Sequence, residues 1–150
     1  MGAAERLEEV DAFEDARGHL WVMEKRLSSP EMMRATADEL EGYVIEQGRE
    51  LQRLLLQAHL ELRAARERVV PVIGADGVRR TTRRASHRPL LTLVGQVEVA
   101  RTAYQAHDVA GLHPMDAAMN LAPELYSHRM QRLAAEHAAR SSFDEVVSLL

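Results

Sequence analysis

The hydrophobic pattern is clearest between residues 40 and 65, where apolar side chains recur three or four positions apart. This spacing is typical of one face of an α-helix. The stripe consists of Leu40, Val44, Gln47, Leu51, Leu54, Ala58, Leu62 and Ala65. We predict a helix that runs to about Arg68, either unbroken or divided near Gly42 or Gly48. Its apolar face can pack in the core, or, because it spans three heptads, pair with another helix in a coiled coil.

A second helix is predicted before this one, over residues 3–27, either unbroken or divided near Gly18. Its apolar positions are Leu7, Val10, Phe13, Leu20, Trp21, Val22 and Leu27. The next residues are typical of a helix start. Ser29 suits the N-cap, Pro30 the first helical position, and Glu31 complements the helix dipole in the first turn.

The pattern changes to β-strand spacing after residue 68. Residues 69–73 are short and β-branched, and residues 74–77 form a turn sequence with two glycines. Residues 90–94 and 97–104 are apolar stretches on either side of Gly95 and Gln96, which predicts a β-hairpin with a two-residue turn. Strand alternation places one set of side chains on a common face: Val97, Val99, Arg101 and Ala103.

The C-terminal part is predicted to be helical after an irregular connector over residues 105–120. Pro123 and Glu124 open a helix that ends at Ser141 and Ser142. Residues 142–145 read as a capping box for a further helix. That helix has only two turns before residue 150, so we expect the chain to be part of a longer protein.

Together these patterns predict an α+β fold that is mainly α. It has long N-terminal helices, a small antiparallel β-hairpin or sheet, and C-terminal helices that open a helix-turn-helix-like segment. We divide the chain into a helical segment at 1–68, a basic β-hairpin segment at 69–104, and a connector with C-terminal helices at 105–150.

The composition excludes several classes of protein. No cysteine is present, so the chain has neither disulfides nor thiolate metal sites. The acidic N-terminal sequence lacks the apolar stretch of a secretory signal, and no run of 18 apolar residues could span a membrane. We therefore expect a cytoplasmic protein.

Charge is concentrated in the middle of the chain. Residues 71–104 carry a net charge of +4, between flanks of −5 and −3, in a chain of −4 overall. The sequence RRTTRRASHR at residues 79–88 contains five of the arginines. This stretch is either a solvated loop joining strands or a site of phosphate contact, for which arginine offers a permanent charge and paired donors. The predicted contacts are Arg79, Arg80, Arg83, Arg84, Arg88 and Arg101.

Sequence signals for catalysis and metal binding are weak. No nucleotide-binding loop and no nucleophile elbow of the form G-x-S-x-G occur. His107, Asp108, His113 and Asp116 lie within ten residues, but their spacing matches no local ligand pattern, and ordinary loop residues are the alternative. We predict no catalytic residue, metal site or cofactor in this chain.

The order of the elements carries a family resemblance. The hairpin matches T-x-x-G-x-V-x-V-x-R-x-x-Y at Thr92, Gly95, Val97, Val99, Arg101 and Tyr104. Later matches are Pro114, Asp116, Leu121 and Pro123, then Ser142, Phe143 and Glu145. With the leucine-rich helix before it, this series resembles the N-terminal region of bacterial insertion-sequence transposases of the Kra and Lre types. The resemblance covers residues 35–150.

The resemblance implies a parent protein that transposes DNA by metal-dependent strand transfer. This chain would be its DNA-end-recognising part. The RNase H-like catalytic domain, which binds a divalent metal such as Mg²⁺, would lie beyond residue 150. Many family members carry a C-x-x-C motif after the hairpin tyrosine, where this chain has Ala106 and Val109. That departure supports the prediction that no metal is bound here.

The expected partners are DNA at transposon ends and a second copy of the chain, paired through the helix at residues 40–65. We expect a bacterial location at the nucleoid, with no membrane and no small-molecule substrate. The alternatives are a stand-alone helical module for oligomerisation or regulation, and a transposase remnant without function.

Overall fold

A computed structural model describes residues 12–149, except the side chains of residues 142–147 and 149. Four helices and four strands follow one another, with a short 3-10 turn at Met32–Arg34. They are α1 Glu14–Leu27, α2 Ala37–Ala65, β1 Val72–Ile73, β2 Arg79–Arg80, β3 Thr82–Thr92, β4 Gly95–Gln105, α3 Pro114–Ala118 and α4 His128–Leu149. The prediction of a mainly α, α+β fold is confirmed.

The two N-terminal helices are continuous through the glycines at which breaks were considered. Helix α1 passes Gly18, and α2 passes both Gly42 and Gly48. A glycine within a helix lowers helix stability by only about 1 kcal/mol relative to alanine. This cost is small compared with the stabilisation from the other residues of a 29-residue helix. The part of the predicted first helix at residues 3–11 lies outside the described residues.

Helix α2 begins later than the sequence suggested. Ser29 accepts a hydrogen bond from the Met32 N–H, but only the 3-10 turn follows. The α-helix is capped by Thr36, whose hydroxyl accepts from the Glu39 N–H, while the Glu39 carboxylate accepts from the Thr36 N–H. This capping box satisfies backbone donors at the helix start.

Strands β3 and β4 form a long antiparallel hairpin. Its register runs from Thr82 opposite Gln105 to Thr92 opposite Gly95. The turn therefore consists of residues 93–94, and the predicted turn at Gly95 and Gln96 was two residues too late. Gly95 begins β4 with a φ of +122°, a conformation that favours glycine.

The arginine-rich stretch is strand rather than a connecting loop. Arg79 and Arg80 form β2, which pairs with β1, and Thr82 starts β3 after a single intervening residue. An eleven-residue strand extends about 36 Å. Four of the arginines consequently lie at the open end of the hairpin, opposite the turn, and Arg88 lies further along β3, opposite Val99.

The core lies between the second half of α2 and one face of the hairpin. Leu60 of α2 packs with Leu90 of β3 and with Val97 and Val99 of β4. Partly buried residues complete this cluster: Leu56, Met119 and Leu121. The predicted common face of β4 is buried in the structure. Leu60, which is not in the predicted stripe of α2, supplies the central contact.

Helix α2 also closes the outer edge of β4 with polar side chains. The Gln57 amide accepts from the Glu98 N–H at 2.8 Å and donates to the Glu98 carbonyl at 3.0 Å, as a neighbouring strand would. The Glu67 carboxylate accepts from the Thr102 N–H at 2.9 Å. These contacts fix the hairpin against α2 and satisfy backbone groups that would otherwise be unpaired.

The C-terminal helix differs from its prediction at both ends. Helix α4 starts at His128, after Ser127 accepts from the Met130 N–H. Residues 123–125 form a bend, and Tyr126 forms a β-bridge with Leu91. The helix continues through Ser141 and Ser142, so the expected stop is wrong. Serine is a moderate helix former, and two of them do not interrupt a 22-residue helix. The expected helix-turn-helix-like segment is not confirmed, and the side chains of its proposed capping box lie outside the described residues.

Candidate nucleic-acid interface

The six predicted DNA-contacting arginines fall into two groups in the structure. Arg79, Arg83 and Arg84 are exposed, and none of the acidic side chains that the structure describes pairs with them. Arg80, Arg88 and Arg101 are buried or half-buried and bound to other parts of the chain. We refer to the exposed group, Arg79, Arg83 and Arg84, as the arginine surface.

Arg80 is an internal part of the β1–β2 hairpin. Its side chain is 3% exposed, and its guanidinium donates to both Asp76 carboxylate oxygens at 2.6 and 2.8 Å. It also donates to the carbonyls of Val78 and Ala110. A Cβ atom at Gly74 would collide with this guanidinium, so the glycine leaves the space that Arg80 occupies. Because Arg80 is buried and bound internally, we leave it out of the arginine surface.

The Asp76–Arg80 pair is expected to titrate in strong acid. Hydrogen bonds from the Arg80 guanidinium and the Val78 N–H lower the pKa of Asp76 from 3.8 to about 2. Because the folded pKa is lowered, the pair's contribution to stability is complete above about pH 4 and is lost as the pH falls towards 2. A carboxyl ¹³C NMR titration should give a midpoint near 2. Arg80→Ala should raise the midpoint towards 3.8 and Arg79→Ala should leave it unchanged; equal midpoints in all three proteins would contradict the assignment.

Arg101 lies on the buried face of β4, as alternation predicted, but it is not presented to solvent. Its side chain is 7% exposed, and it binds Asp116 through two hydrogen bonds of 2.8 and 3.2 Å. A third bond of 3.0 Å joins it to the Ser86 hydroxyl on β3. Arg101 thus ties both strands to α3, and we leave it out of the arginine surface.

Arg88 holds the segment before α4 against the hairpin. One of its terminal nitrogens donates to the carbonyls of Ala122 and Glu124 at 2.6 and 2.7 Å. The side chain is 18% exposed, and its other terminal nitrogen lies 3.9 Å from Asp116. Its donors therefore serve the fold, and we also exclude Arg88 from the arginine surface.

The buried arginines change the behaviour of a nearby histidine. Burial, together with the charge of Arg101, lowers the pKa of His113, and Asp116 partly opposes this effect. Arg84 and Arg88 lower it further. These surroundings disfavour another positive charge at His113, beside three guanidinium groups.

The arrangement suits the binding of an extended polyanion. Arg83 lies opposite Tyr104 and Arg84 opposite Ala103, so the two side chains project from opposite faces of one ribbon. Thr81 and Thr82 are exposed beside them and supply neutral donors. Two-stranded β-ribbons are narrow enough to enter the major groove of DNA. Side chains on both faces of such a ribbon can reach phosphates on the two groove walls.

An open strand edge accompanies the arginine surface. On the outer edge of β3, Leu91 exchanges hydrogen bonds with Leu125 and Ser127. Because alternate residues direct their backbone groups to the same edge, Arg83, Ala85 and His87 also face outward. Within the described part of the chain these three have no outward backbone partner. Their N–H groups are additional donors for a phosphate.

The candidate metal ligands do not converge. His107 and Asp108 contact each other at 2.9 Å in full exposure, whereas Asp116 is engaged by Arg101. In the described ranges, no group of three or more histidine or acidic side chains is arranged to hold an ion. The same ranges contain no helix with the length and apolar content needed to cross a membrane.

Sequence reasoning found the arginine surface but missed the acids that bind the other arginines. Asp76 precedes Arg80 by four residues across a turn, a spacing that could have indicated the pair. Asp116 is 15 residues from Arg101 and carries no such signal. Comparisons of the chain with known protein families, curated proteins and solved structures found no match.

Proposed function

We propose that this chain binds the phosphate backbone of duplex DNA through the arginine surface. The observation that carries the proposal is the contrast within one short stretch. Arg80 and Arg88 are bound internally, whereas Arg79, Arg83 and Arg84 project into solvent without an acidic partner among the described residues. Three unpaired guanidinium groups on a short, extended backbone match the charge and donor geometry of phosphates.

The local charge favours this proposal despite the net charge of −4. Of the two acidic residues in 71–104, Asp76 is neutralised by Arg80. The other, Glu98, lies opposite Pro89, about 20 Å along β4 from the Arg83–Tyr104 pair. That distance exceeds the Debye length at physiological salt, so Glu98 does little to weaken the arginine surface. Locally concentrated charge, rather than net charge, attracts a nucleic acid.

The proposed biological role is recognition of transposon ends by the N-terminal part of an insertion-sequence transposase. It rests on the resemblance described above. Most of its hairpin motif builds the scaffold: Val97 and Val99 fill the core, and Arg101 binds Asp116. The Tyr104 hydroxyl accepts from the Val70 N–H at 3.3 Å. In this proposal the motif fixes the hairpin, and the arginine stretch beside it contacts DNA.

The DNA-binding proposal predicts a defined salt dependence. If the arginine surface neutralises three phosphates, log K against log salt concentration should have a slope of about −2.7. Replacing Arg79, Arg83 and Arg84 together by alanine should bring the slope close to zero and weaken binding at low salt. Fluorescence anisotropy with a labelled mixed-sequence duplex measures both quantities.

A matched control comes from helix α4. Arg129, Arg132 and Arg140 are also exposed, so their triple alanine variant changes the net charge equally. This variant should retain the wild-type slope. If both triple variants weaken binding alike, net charge rather than the arginine surface governs it; an unchanged slope in the first variant rejects the surface altogether.

The transposase role needs a separate test, because many proteins bind DNA backbone. The DNA beyond codon 150 at the source locus should encode an RNase H-like domain with three metal-binding carboxylates, and inverted repeats should flank the whole. Tighter binding to those repeats than to the mixed-sequence duplex would support end recognition. Unrelated flanking genes would favour a stand-alone module or a remnant, whatever the affinity for DNA.

A further inference from the structure

The pair of helices α1 and α2 exposes more large apolar side chains than it buries. In the first half of α2, Val44 and Ile45 are exposed, and α2 has no buried residue before Ala58. Helix α1 adds exposed Trp21 and Val22. Such an apolar surface on paired helices is unfavourable in water and is typical of a helix-bundle interface.

One face of α2 remains unused after its two known contacts. The face that includes Gln47 meets α1, where His19 contacts the Gln47 carbonyl. The face that includes Gln57 and Leu60 meets the hairpin. At 100° per residue, a third face lies roughly 120° from Gln47, on the side away from the hairpin. We call it the third face; it consists of Glu41, Ile45, Gly48, Gln52, Leu55 and His59.

The third face has the spacing of a coiled-coil seam. Its members alternate four and three residues apart, as a and d positions do. Five of the six are exposed, and Gly48 is half-buried. The apolar stripe that the sequence predicted for α2 lies on a different face. Its Gln47 contacts α1, and its Ala58 is buried.

The positions of the third face are symmetric about residue 50. In an antiparallel pair of α2 helices centred there, Ile45 of one chain meets Leu55 of the other. Gly48 meets Gln52, and the Glu41 carboxylate meets the His59 ring, which can donate a hydrogen bond to it. Each contact occurs twice, as an isologous two-fold interface requires.

Charge along α2 favours the same antiparallel arrangement. Residues 37–50 carry five acidic side chains and one arginine, whereas residues 51–65 carry two arginines and one glutamate. Arg53 in the second half is paired with Glu50, and the other two charges of that half balance. Antiparallel pairing places the acidic half of each helix beside this near-neutral half of the other. A parallel pair would place acidic halves together, which is unfavourable.

We propose that two copies of this chain associate through the third face of α2, antiparallel and centred on residue 50. The contact from Glu41 to His59 is about 27 Å long and leaves the α1 and hairpin faces of α2 in place. The two-fold axis also directs the two β-hairpins to opposite ends of the paired helices. The proposal is independent of DNA binding.

Cysteine cross-linking tests the register directly, because the natural chain contains no cysteine. A mixture of Ile45→Cys and Leu55→Cys chains of different tag length should give a mixed cross-linked dimer with a short bismaleimide. Ile45→Cys alone should cross-link much less, since its two copies would lie about 15 Å apart along the axis. The reverse preference would show a parallel pair and overturn the proposal.

Light scattering tests the association itself. The wild-type protein should have about twice the 16.8 kDa chain mass, and Ile45→Glu should shift it to monomer while circular dichroism remains unchanged. Ile73→Glu is the matched control, because Ile73 is 63% exposed and Ile45 is 59% exposed. The control should remain a dimer. A monomeric wild type, or equal dissociation of both variants, would overturn the proposal.

Discussion

Replacing Arg101 by alanine is expected to lower the free energy of unfolding by about 3 kcal/mol, the usual cost of removing one partner from a buried ion pair. Arg101 joins β4 to Asp116 and to Ser86, so its loss leaves a mostly buried carboxylate without its main donors. Arg84→Ala should change the same quantity by less than about 0.5 kcal/mol, because Arg84 is exposed on the same face of the hairpin.

Urea denaturation followed by circular dichroism measures both free energies of unfolding. In DNA binding the order should be reversed, with the larger effect in Arg84→Ala. Arg84→Ala should reduce the salt slope by about one, whereas folded Arg101→Ala should keep it. Arg101→Lys distinguishes charge from geometry, since lysine retains the charge but cannot make the paired bonds to Asp116. Equal stability losses for Arg84→Ala and Arg101→Ala would contradict the division into surface and internal arginines.

That division shows what the sequence could and could not predict about the site. Strand alternation correctly placed Arg101 with Val97 and Val99 on one face of β4. Alternation alone does not tell whether an arginine on that face meets solvent or a distant carboxylate. The carboxylate that binds Arg101 is that of Asp116 on α3, and its position depends on how the connector folds back over the sheet. The location of the charge was therefore predictable, but its accessibility was not.

The fold shows the same distinction between local and tertiary information. Helix and strand types followed from periodicity, because each depends on neighbours within a few residues. The boundaries were less predictable: the helix cap is Thr36 rather than Ser29, and the hairpin turn lies at residues 93–94 rather than at Gly95 and Gln96. Glu39 completes the cap at Thr36, and the positive φ of Gly95 is used within the strand pair. Each outcome depends on a partner that the apolar pattern does not show.

The packing of α2 on the hairpin depends most on Leu60, and Leu60→Ala should lower the free energy of unfolding by about 3 kcal/mol. The side chain is 3% exposed and contacts Leu90, Val97 and Val99. Truncation therefore leaves a cavity between α2 and the two strands that small movements of these elements do not fill. Leu93→Ala, in the exposed hairpin turn, should cost less than about 1 kcal/mol.

Hydrogen exchange locates the consequence within the structure. The Glu98 and Thr102 amides donate to Gln57 and Glu67 of the α2 region, so they should exchange faster in Leu60→Ala than in the wild type. Amides in the first half of α2 should change little, because that half contacts α1 through His19 and the Gln47 carbonyl. Uniform acceleration throughout the chain would instead show that α2 and the hairpin unfold as one unit. Selective acceleration at the β4 edge would show that Leu60 fixes the hairpin, and hence the arginines at its open end, on the helix.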